Sequence, residues 1–417
     1  MSDTHRAVEA VWRIESARLI AGLARLTGDV GLAEDLAQDA FVAALEQWPV
    51  EGIPDRPGAW LRTAARRRGI DQLRRRTMTD AKHELLGAEL SDIEERTPDL
   101  AAAIDDDIGD DLLRLIFIAC HPVLSAEARA ALTLRLVGGL ATEEIARAFL
   151  VPVSTIQQRI VRAKRTLAEA RVPFELPRGD DRAARLDSVL EVIYLIFNEG
   201  HSATAGDDVM RPELMRDALR IGRIVAELAP TEPEVHGLVA LMELTASRGA
   251  ARVDQSGAPV LLMDQDRGRW DHLLIQRGLA ALTRAVRAGP LGPYALQAAI
   301  AACHARARRA EETDWPQIAA LYDALAQVMP SPIVALNRAM AVGMAYGPDA
   351  GLELLDALAD EPKLAGYHLL PAARGDLLER LGRGREAGEA FERAAALTGN
   401  VRERELLVRR AAVARRG

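Results

Sequence analysis

Apolar residues along this chain recur at intervals of three and four, and β-branched runs bounded by turns are scarce, so the helical period governs nearly every segment. Between residues 30 and 48, Leu32, Leu36, Ala40, Phe41, Ala44, Leu45 and Trp48 make one stripe. Glu34, Asp35, Gln38 and Asp39 make the other face. Proline and glycine separate the periodic segments, at Thr27-Gly28-Asp29, from Pro49 to Pro57, at Val151-Pro152-Val153, and at Pro173 and Pro177. The expected fold class is all-α. At 417 residues the chain exceeds one compact core and divides into several units.

Residues 8–77 read as a small bundle: two helices split at Gly28, a loop from Pro49 to Pro57, and a third helix from Gly58 to about Thr77. Residues 78–110 lose apolar periodicity and gather aspartates, the pattern of a flexible acidic linker. Residues 111–171 form a second helical set. Within it, Thr142-Glu143-Glu144 opens a short helix with acids in its first turn. Ser154 starts the next, and with Gln157 three residues on it matches a capping box. Two short helices across a tight turn, the second basic on one side, make a helix-turn-helix, with Ile145, Ala146, Phe149, Val153, Ile156 and Ile160 as its internal core.

Residues 180–417 contain only helices and short breaks, and carry an internal similarity. Ala350, Leu354 and Ala357 recur as Ala387, Phe391 and Ala394, each offset by 37 residues. Tetratricopeptide repeats have a period of about 34 residues, so a stacked array of helical hairpins is the expected architecture. The segment from Val253 to Asp271 interrupts it as a long loop.

Charge is segregated along the chain. The formal net charge is −8, yet residues 56–76 hold eight arginines against one acid, Asp71. A second basic stretch comprises Arg159, Arg162, Lys164, Arg165 and Arg171 against Glu169. Between them, Asp80 to Asp111 carries twelve acids with only Lys82 and Arg96. Eight arginines with one acid repel each other unless phosphates neutralise them, which favours nucleic acid over a merely solubilising surface.

Catalytic and metal signatures are missing. No nucleophile elbow, zincin motif, phosphate-binding glycine loop or dinucleotide fingerprint is present, so neither enzyme activity nor a cofactor is expected. Asp264, Asp266 and Asp271 invite a metal, but a calcium loop needs a terminal glutamate that is missing here. With Arg267 and Arg269 beside them, Asp264, Gln265, Asp266 and Arg267 read instead as a regulatory loop, an ionic latch onto another domain of the chain, or as a merely structural loop. Cys120 and Cys303 have no ligand pair nearby and read as buried small hydrophobes. Asn198-Glu199-Gly200 and His201 read as a capped helix terminus. No apolar run approaches the ~20 residues that span a bilayer, and the start lacks a signal-peptide pattern, so a cytoplasmic protein without membrane contact is expected.

The stretches AEDLAQDAF (33–41) and PGAWLRTAARRRGIDQLRRR (57–76) resemble region 2 of extracytoplasmic-function sigma factors of RNA polymerase. GLATEEIARAFLVPVSTIQQRIVRAKRTL (139–167) is similar to their region 4. IFNEGHSA (196–203) and LLMDQDR (261–267) resemble the subgroup with a tetratricopeptide-like C-terminal extension. Arg67 stands where the family commonly has asparagine.

The resemblance implies a factor that binds core RNA polymerase at its clamp and flap regions, recognises promoter DNA and performs no chemistry. Asp35, Gln38 and Asp39 become the dock for the basic clamp, though a solvated face is the plain alternative. Arg62, Arg66, Arg67, Arg68, Arg74 and Arg75 become the −10 contacts, beside a base-capturing loop at residues 50–55. Ser154, Thr155, Gln157, Gln158, Arg159, Arg162, Lys164 and Arg165 become the −35 contacts. Ser154 and Thr155 suit phosphate at the helix start, Gln158, Arg159 and Arg162 suit the major groove, and Lys164 and Arg165 suit phosphate or solvent. The acidic linker becomes a nucleic-acid mimic in the polymerase channel or a solvated spacer. The extension becomes an intramolecular regulator. The rival reading is a helix-turn-helix regulator with a repeat scaffold that does not replace the sigma subunit.

Overall fold

The computed structural model describes residues 3–69, 108–149, 151–201, 211–255 and 258–416. Most of the acidic linker, the end of the first basic helix and the connection after His201 lie outside them. The described residues are overwhelmingly helical, and their one β-pairing is an isolated bridge between Val253 and Pro259. Contacts divide the chain into two units, residues 1–193 and 194–417.

The first unit opens with α1 (Asp3–Thr27) and α2 (Val30–Glu51), an antiparallel hairpin. Its turn forms where the sequence places it. Gly28 takes a left-handed φ of 66°, and the Asp29 carboxylate caps α2 by accepting from the amides of Gly31 and Leu32 at 2.7 and 3.1 Å. Ile20, Ala24, Leu36, Ala37, Ala40 and Ala44 are all 1% exposed or less, and the alanines let the helices approach closely.

The expected loop at Pro49 begins later, because α2 continues through Pro49 to Glu51. Proline forfeits only one helical hydrogen bond this close to the end, and Trp48 is held at 2% exposure by its edge-on contact with Trp60, 5.4 Å between rings. Gly52, at φ 88°, then closes the helix on the Trp48 carbonyl. A third helix, α3, covers residues 57–69 and buries Leu61 and Ala65.

The same unit continues with α4 (Ile108–Ala119), α5 (Ala126–Leu136), α6 (Thr142–Phe149) and α7 (Val153–Glu169). Helices α6 and α7 form the helix-turn-helix, with Ile145, Ala146, Ile156 and Ile160 in its core. Val153, expected in that core, is instead 37% exposed. The capping box is also absent. Pro152, extended at φ −57° and ψ 144°, is the N-cap, so α7 starts one residue before Ser154 and no side chain caps it. Ser154 thus sits inside the first turn rather than at its head. Cys120 is buried with its sulfur 3.3 Å from the Thr133 hydroxyl.

Helix α8 (Gly179–His201) begins in the first unit. Its first half packs on α4 and α5: the Ser188 hydroxyl donates to the Cys120 carbonyl at 2.6 Å, Arg185 to the Phe117 carbonyl at 3.1 Å, and Arg129 of α5 to Glu191 at 3.0 Å.

The second unit is a run of antiparallel neighbours: α9 (Pro212–Leu228), α10 (Pro233–Ala246), α11 (His272–Ala288), α12 (Pro293–Arg306), α13 (Trp315–Val328), α14 (Pro332–Tyr346), α15 (Pro348–Asp356), α16 (Leu369–Arg380), α17 (Gly384–Leu397) and α18 (Val401–Ala414). Pro212, Pro233, Pro293, Pro332 and Pro348 each stand at the first helical position, where the missing amide costs nothing and φ is preset.

The repeat is real, but its register is one residue shorter than the sequence pattern proposed. The buried positions of α15 are Gly351, Leu352 and Leu355, and Gly351 and Leu355 align with the fully buried Ala387 and Phe391 of α17. Ala357 is exposed. The close approaches behind this register are made by glycine: a β-carbon on Gly351 would stand 2.7 Å from the Gly343 α-carbon, and one on Gly375 would stand 2.5 Å from the Phe391 ring. Gly375→Ala is therefore expected to destabilise the extension by about 1–3 kcal/mol through overpacking, despite alanine's better helix propensity. Thermal unfolding checks this, and an unchanged melting temperature would refute it.

The segment from Val253 to Asp271 is irregular, as expected, and tightly anchored. Trp270 at its end is 3% exposed, and Asp271 caps α11 through the amides of Leu273 and Leu274.

Candidate nucleic-acid interface

Helix α2 presents its acids in two different environments. Asp35 and Asp39 are exposed and Gln38 is half-buried, so the three residues expected to share a face do share it. Partial burial raises the Asp35 pKa, and the neighbouring Glu34, Asp39 and Asp29 add to the rise against the pull of Lys164. A cleft of about 390 Å³ lies beside this face, lined in part by Trp12, Gln38, Phe41, Val42, Arg135 and Glu144.

Glu34 behaves differently from the rest of its row. It is 2% exposed, and its carboxylate binds Arg135 Nε of α5 at 2.6 Å and Lys164 Nζ of α7 at 2.5 Å. Gln38 donates a third contact at 2.7 Å. Burial alone pushes the Glu34 carboxyl up, but Lys164 and Arg135 more than offset it, and the net shift is downward. One residue of the first bundle thus holds two cations of the second helical set. A further pair, Arg25 of α1 with the 2%-exposed Asp111 of α4 at 3.3 Å, spans the same two parts.

Of the six arginines expected at the −10 element, four lie among the described residues. Arg62 approaches Glu15 at 3.7 Å, and Arg66 is half-buried. Arg67 and Arg68 are exposed, Arg68 donating to the Asp39 carbonyl of α2. Arg74 and Arg75 lie outside the described residues. At the end of α2 and in the loop after it, Val50 is 85% and Ile53 43% exposed.

On α7, Ile156, Ile160, Ala163 and Leu167 face inward. The opposite side carries Ser154, Gln157, Gln158, Arg162 and Arg165, all exposed, while Thr155 and Arg159 lie half-buried on a flank. Arg165 is tied to Glu169 at 2.6 Å, an exposed pair of little energetic weight. Lys164 departs from expectation. It is half-buried, one turn after the inward Ile160, and its ammonium is spent on Glu34 of α2. Sequence reasoning missed Glu34 itself. The available signal was its place three residues before Ala37 and seven before Phe41, at the edge of the apolar stripe.

The expected regulatory loop is split by burial. Asp264 and Asp266 are exposed, the latter accepting from the Gly268 amide at 2.9 Å. Gln265 is 8% exposed and donates to the Val260 carbonyl, and Arg267 donates to the His304 and Ala307 carbonyls and the Thr313 hydroxyl at 2.7, 2.8 and 3.0 Å. These hydrogen bonds stay within the extension. The terminus of α8 is capped as expected: Arg252 donates to the His201 carbonyl, and Arg211 pairs with Glu199. Among the described residues no group of three or more His, Cys, Asp or Glu could hold a metal, and no helix is long and apolar enough to cross a membrane.

Residues 14–79 match the sigma-70 region 2 family, residues 114–167 the sigma-70 region 4 family, and residues 185–286 the family of unknown function DUF6596. An uncharacterized protein of Rhizobium meliloti (strain 1021) is 46% identical over 387 residues, covering 92% of this chain and 90% of the relative. The ECF RNA polymerase sigma factor SigL of Mycobacterium tuberculosis is 32% identical over 169 residues, 40% of this chain and 83% of that protein. The probable ECF RNA polymerase sigma factor SigI of the same organism is 28% identical over 212 residues, 45% of this chain and 68% of that protein. No solved structure matches. The two sigma-70 matches fall on the α1–α3 bundle and the helix-turn-helix, the third on the start of the repeat array, and the chain belongs to the extracytoplasmic-function family of RNA polymerase sigma factors, with a DUF6596 extension.

Proposed function

We propose that this sigma factor binds core polymerase through the Asp35, Gln38 and Asp39 row of α2, reads the −10 element with Arg62, Arg66, Arg67 and Arg68 of α3 and with Arg74 and Arg75, and reads the −35 element with Ser154, Thr155, Gln157, Gln158, Arg159, Arg162 and Arg165. The observation that carries the reading is the two-faced α7, whose apolar row is buried while a row of polar and cationic side chains stays open. Exposed acids on α2 suit a basic clamp, supplying steering and register more than raw affinity. The form in which Glu34 holds Arg135 and Lys164 is the resting one. Promoter binding by both parts at once requires that contact to open, which frees Lys164 for phosphate.

The C-terminal extension modulates this activity in the same chain, where its effective concentration over the sigma domains is high. Run-off transcription with purified core polymerase tests both statements. Full-length protein is expected to co-purify with core and to give promoter-dependent transcripts; failure to do either favours a helix-turn-helix regulator that never replaces the sigma subunit. The truncation must fall between residues 202 and 210. A cut at Gly179 removes Ser188 and Glu191 from α4 and α5 and would unfold the wrong part. A change of severalfold in transcript yield on truncation is expected, and an unchanged yield refutes modulation.

A further inference from the structure

Two guanidinium groups of the extension, Arg248 and Arg267, lie against one buried indole, the charge of a third, Arg252, is felt by Arg248, and among the described residues none of the three is hydrogen-bonded to a carboxylate. Trp270 is 3% exposed. Arg248 lies 5.9 Å and Arg267 5.1 Å from the centroid of its ring. Arg267 spends its terminal nitrogens on two carbonyls and the Thr313 hydroxyl, all neutral. Arg252 donates to the carbonyl and imidazole of His201, also neutral. The Arg248 guanidinium has no hydrogen-bond or ion-pair partner among the described residues, and the indole ring is its contact.

The electrostatics of the cluster follow from this geometry. Burial, then the charges of Arg252 and Arg267, bring the Arg248 pKa down to about 10. Burial, then Arg248 and Arg267, bring His304 down to about 4, so its ring is neutral at pH 7. His201 is also held well below its ordinary value, by burial and then by Arg252 and Arg248. Acids sit at a distance: Glu311 and Glu312 are felt by Arg267 and Glu403 by Arg252, without hydrogen bonds to either. Stacking on an indole accounts for one arginine. It does not account for like charges assembled against one another in a poorly hydrated place.

Unused polar atoms complete the picture. The donors Arg267 Nε and Trp270 Nε1, and His304 Nδ1, whose role depends on the tautomer, are buried without hydrogen-bond partners. Native structures rarely leave several such groups together unless something absent from the chain satisfies them. A wall made almost wholly of donors and positive charge complements a group that only accepts and is negative, and the planar guanidinium fork matches an oxyanion. Arg248 is partly open to solvent, which gives such a group a way in.

We propose that the extension binds a small oxyanion, a phosphoryl or carboxylate group, at Arg248, with Arg252, Arg267, Trp270 and His304 around it. This binding is a property of the repeat array and stands or falls separately from the sigma reading.

The test uses the full-length protein. Inorganic phosphate and succinate are each titrated by calorimetry at constant ionic strength set with chloride, against wild type, Arg248→Gln, Arg248→Lys and the distant exposed-site control Arg385→Gln. Wild type and R385Q are expected to bind at least one of the two anions saturably at about one site per chain. R248Q is expected to lose at least tenfold in affinity and R248K to fall between, because lysine keeps the charge and loses the fork. In chloride alone, R248Q is expected to melt no lower than wild type, since it removes one of three like charges. Preference for phosphate or for succinate identifies the source of the oxyanion. The proposal is overturned if neither anion binds wild type saturably, if R248Q and R248K both bind as wild type does, or if R248Q melts lower in chloride, which marks Arg248 as a purely structural stack on Trp270.

Discussion

Replacing Glu34 with alanine is expected to destabilise the first unit by about 2–4 kcal/mol, because it strands the Arg135 and Lys164 cations against a desolvated surface. The full cost of breaking a buried pair is discounted here, since the Arg135 and Lys164 side chains retain 20% and 22% of their exposure. At the usual entropy of unfolding for a unit of this size, the melting temperature falls by roughly 5–15 °C. A double-mutant cycle with Lys164→Ala isolates the coupling, and additivity of the two changes within about 0.5 kcal/mol would show that the pair carries no weight.

The same contact sets an acid limit. The Glu34 carboxyl titrates below its ordinary value of 4.5 in the folded chain. A depressed carboxylate contributes stability that is fully present above the unfolded value and is lost as pH falls through the folded one. The docking of α2 on α5 and α7 is therefore expected to weaken from about pH 4.5 downward in wild type, and this component is absent from E34A. The charge also explains why the sequence concealed it. Periodicity groups Glu34 with Asp35, Gln38 and Asp39, and nothing local distinguishes an acid that will be covered by another helix far along the chain.

Other features were legible because they are local. The break at Gly28, the inward Ile156 and Ile160 of α7 and the burial of both cysteines depend on residues within a few positions of one another. What failed was decided by packing at a distance. Pro49 stays helical because Trp48 packs on Trp60, and the α7 start is set by Pro152 rather than by the stronger capping residue Ser154. The repeat register slipped by one because identity of residue type matched Ala350 to Ala387, whereas burial matches Gly351 to Ala387. Leu355 and Phe391 then share a core position that similarity of side chains alone does not reveal. Sequence grouped Asp264, Gln265, Asp266 and Arg267 as one loop, but only burial separates the exposed acids from the inward Gln265 and Arg267.

Double replacement of Arg159 and Arg162 with alanine is expected to weaken binding to a −35 promoter fragment by about 2–6 kcal/mol, at roughly 1–3 kcal/mol for each base that an arginine recognises. The two sites are not equal. Arg162 is fully open, while Arg159 is half-buried beside Glu127, whose carboxyl is lowered chiefly by its backbone and Ser125 hydrogen bonds and further by Arg159. Arg162→Ala alone therefore takes the larger share. Arg165→Ala is the internal control, because its exposed pairing with Glu169 leaves it at most a phosphate contact. Its effect is uniform across promoter sequences and appears as a slightly shallower salt dependence, whereas Arg162→Ala narrows the gap between specific and nonspecific DNA. The protein fold is spared, since Arg162 and Arg165 lie opposite the Ile156, Ile160, Ala163 and Leu167 row and Arg159 stands on its flank. Binding is best measured in an E34A background as well as in wild type. If Glu34 restrains α7 in the resting form, E34A binds the fragment more tightly than wild type, and the arginine losses persist on top of that gain. If R159A/R162A binds as the parent does in both backgrounds, α7 is not the −35 reader.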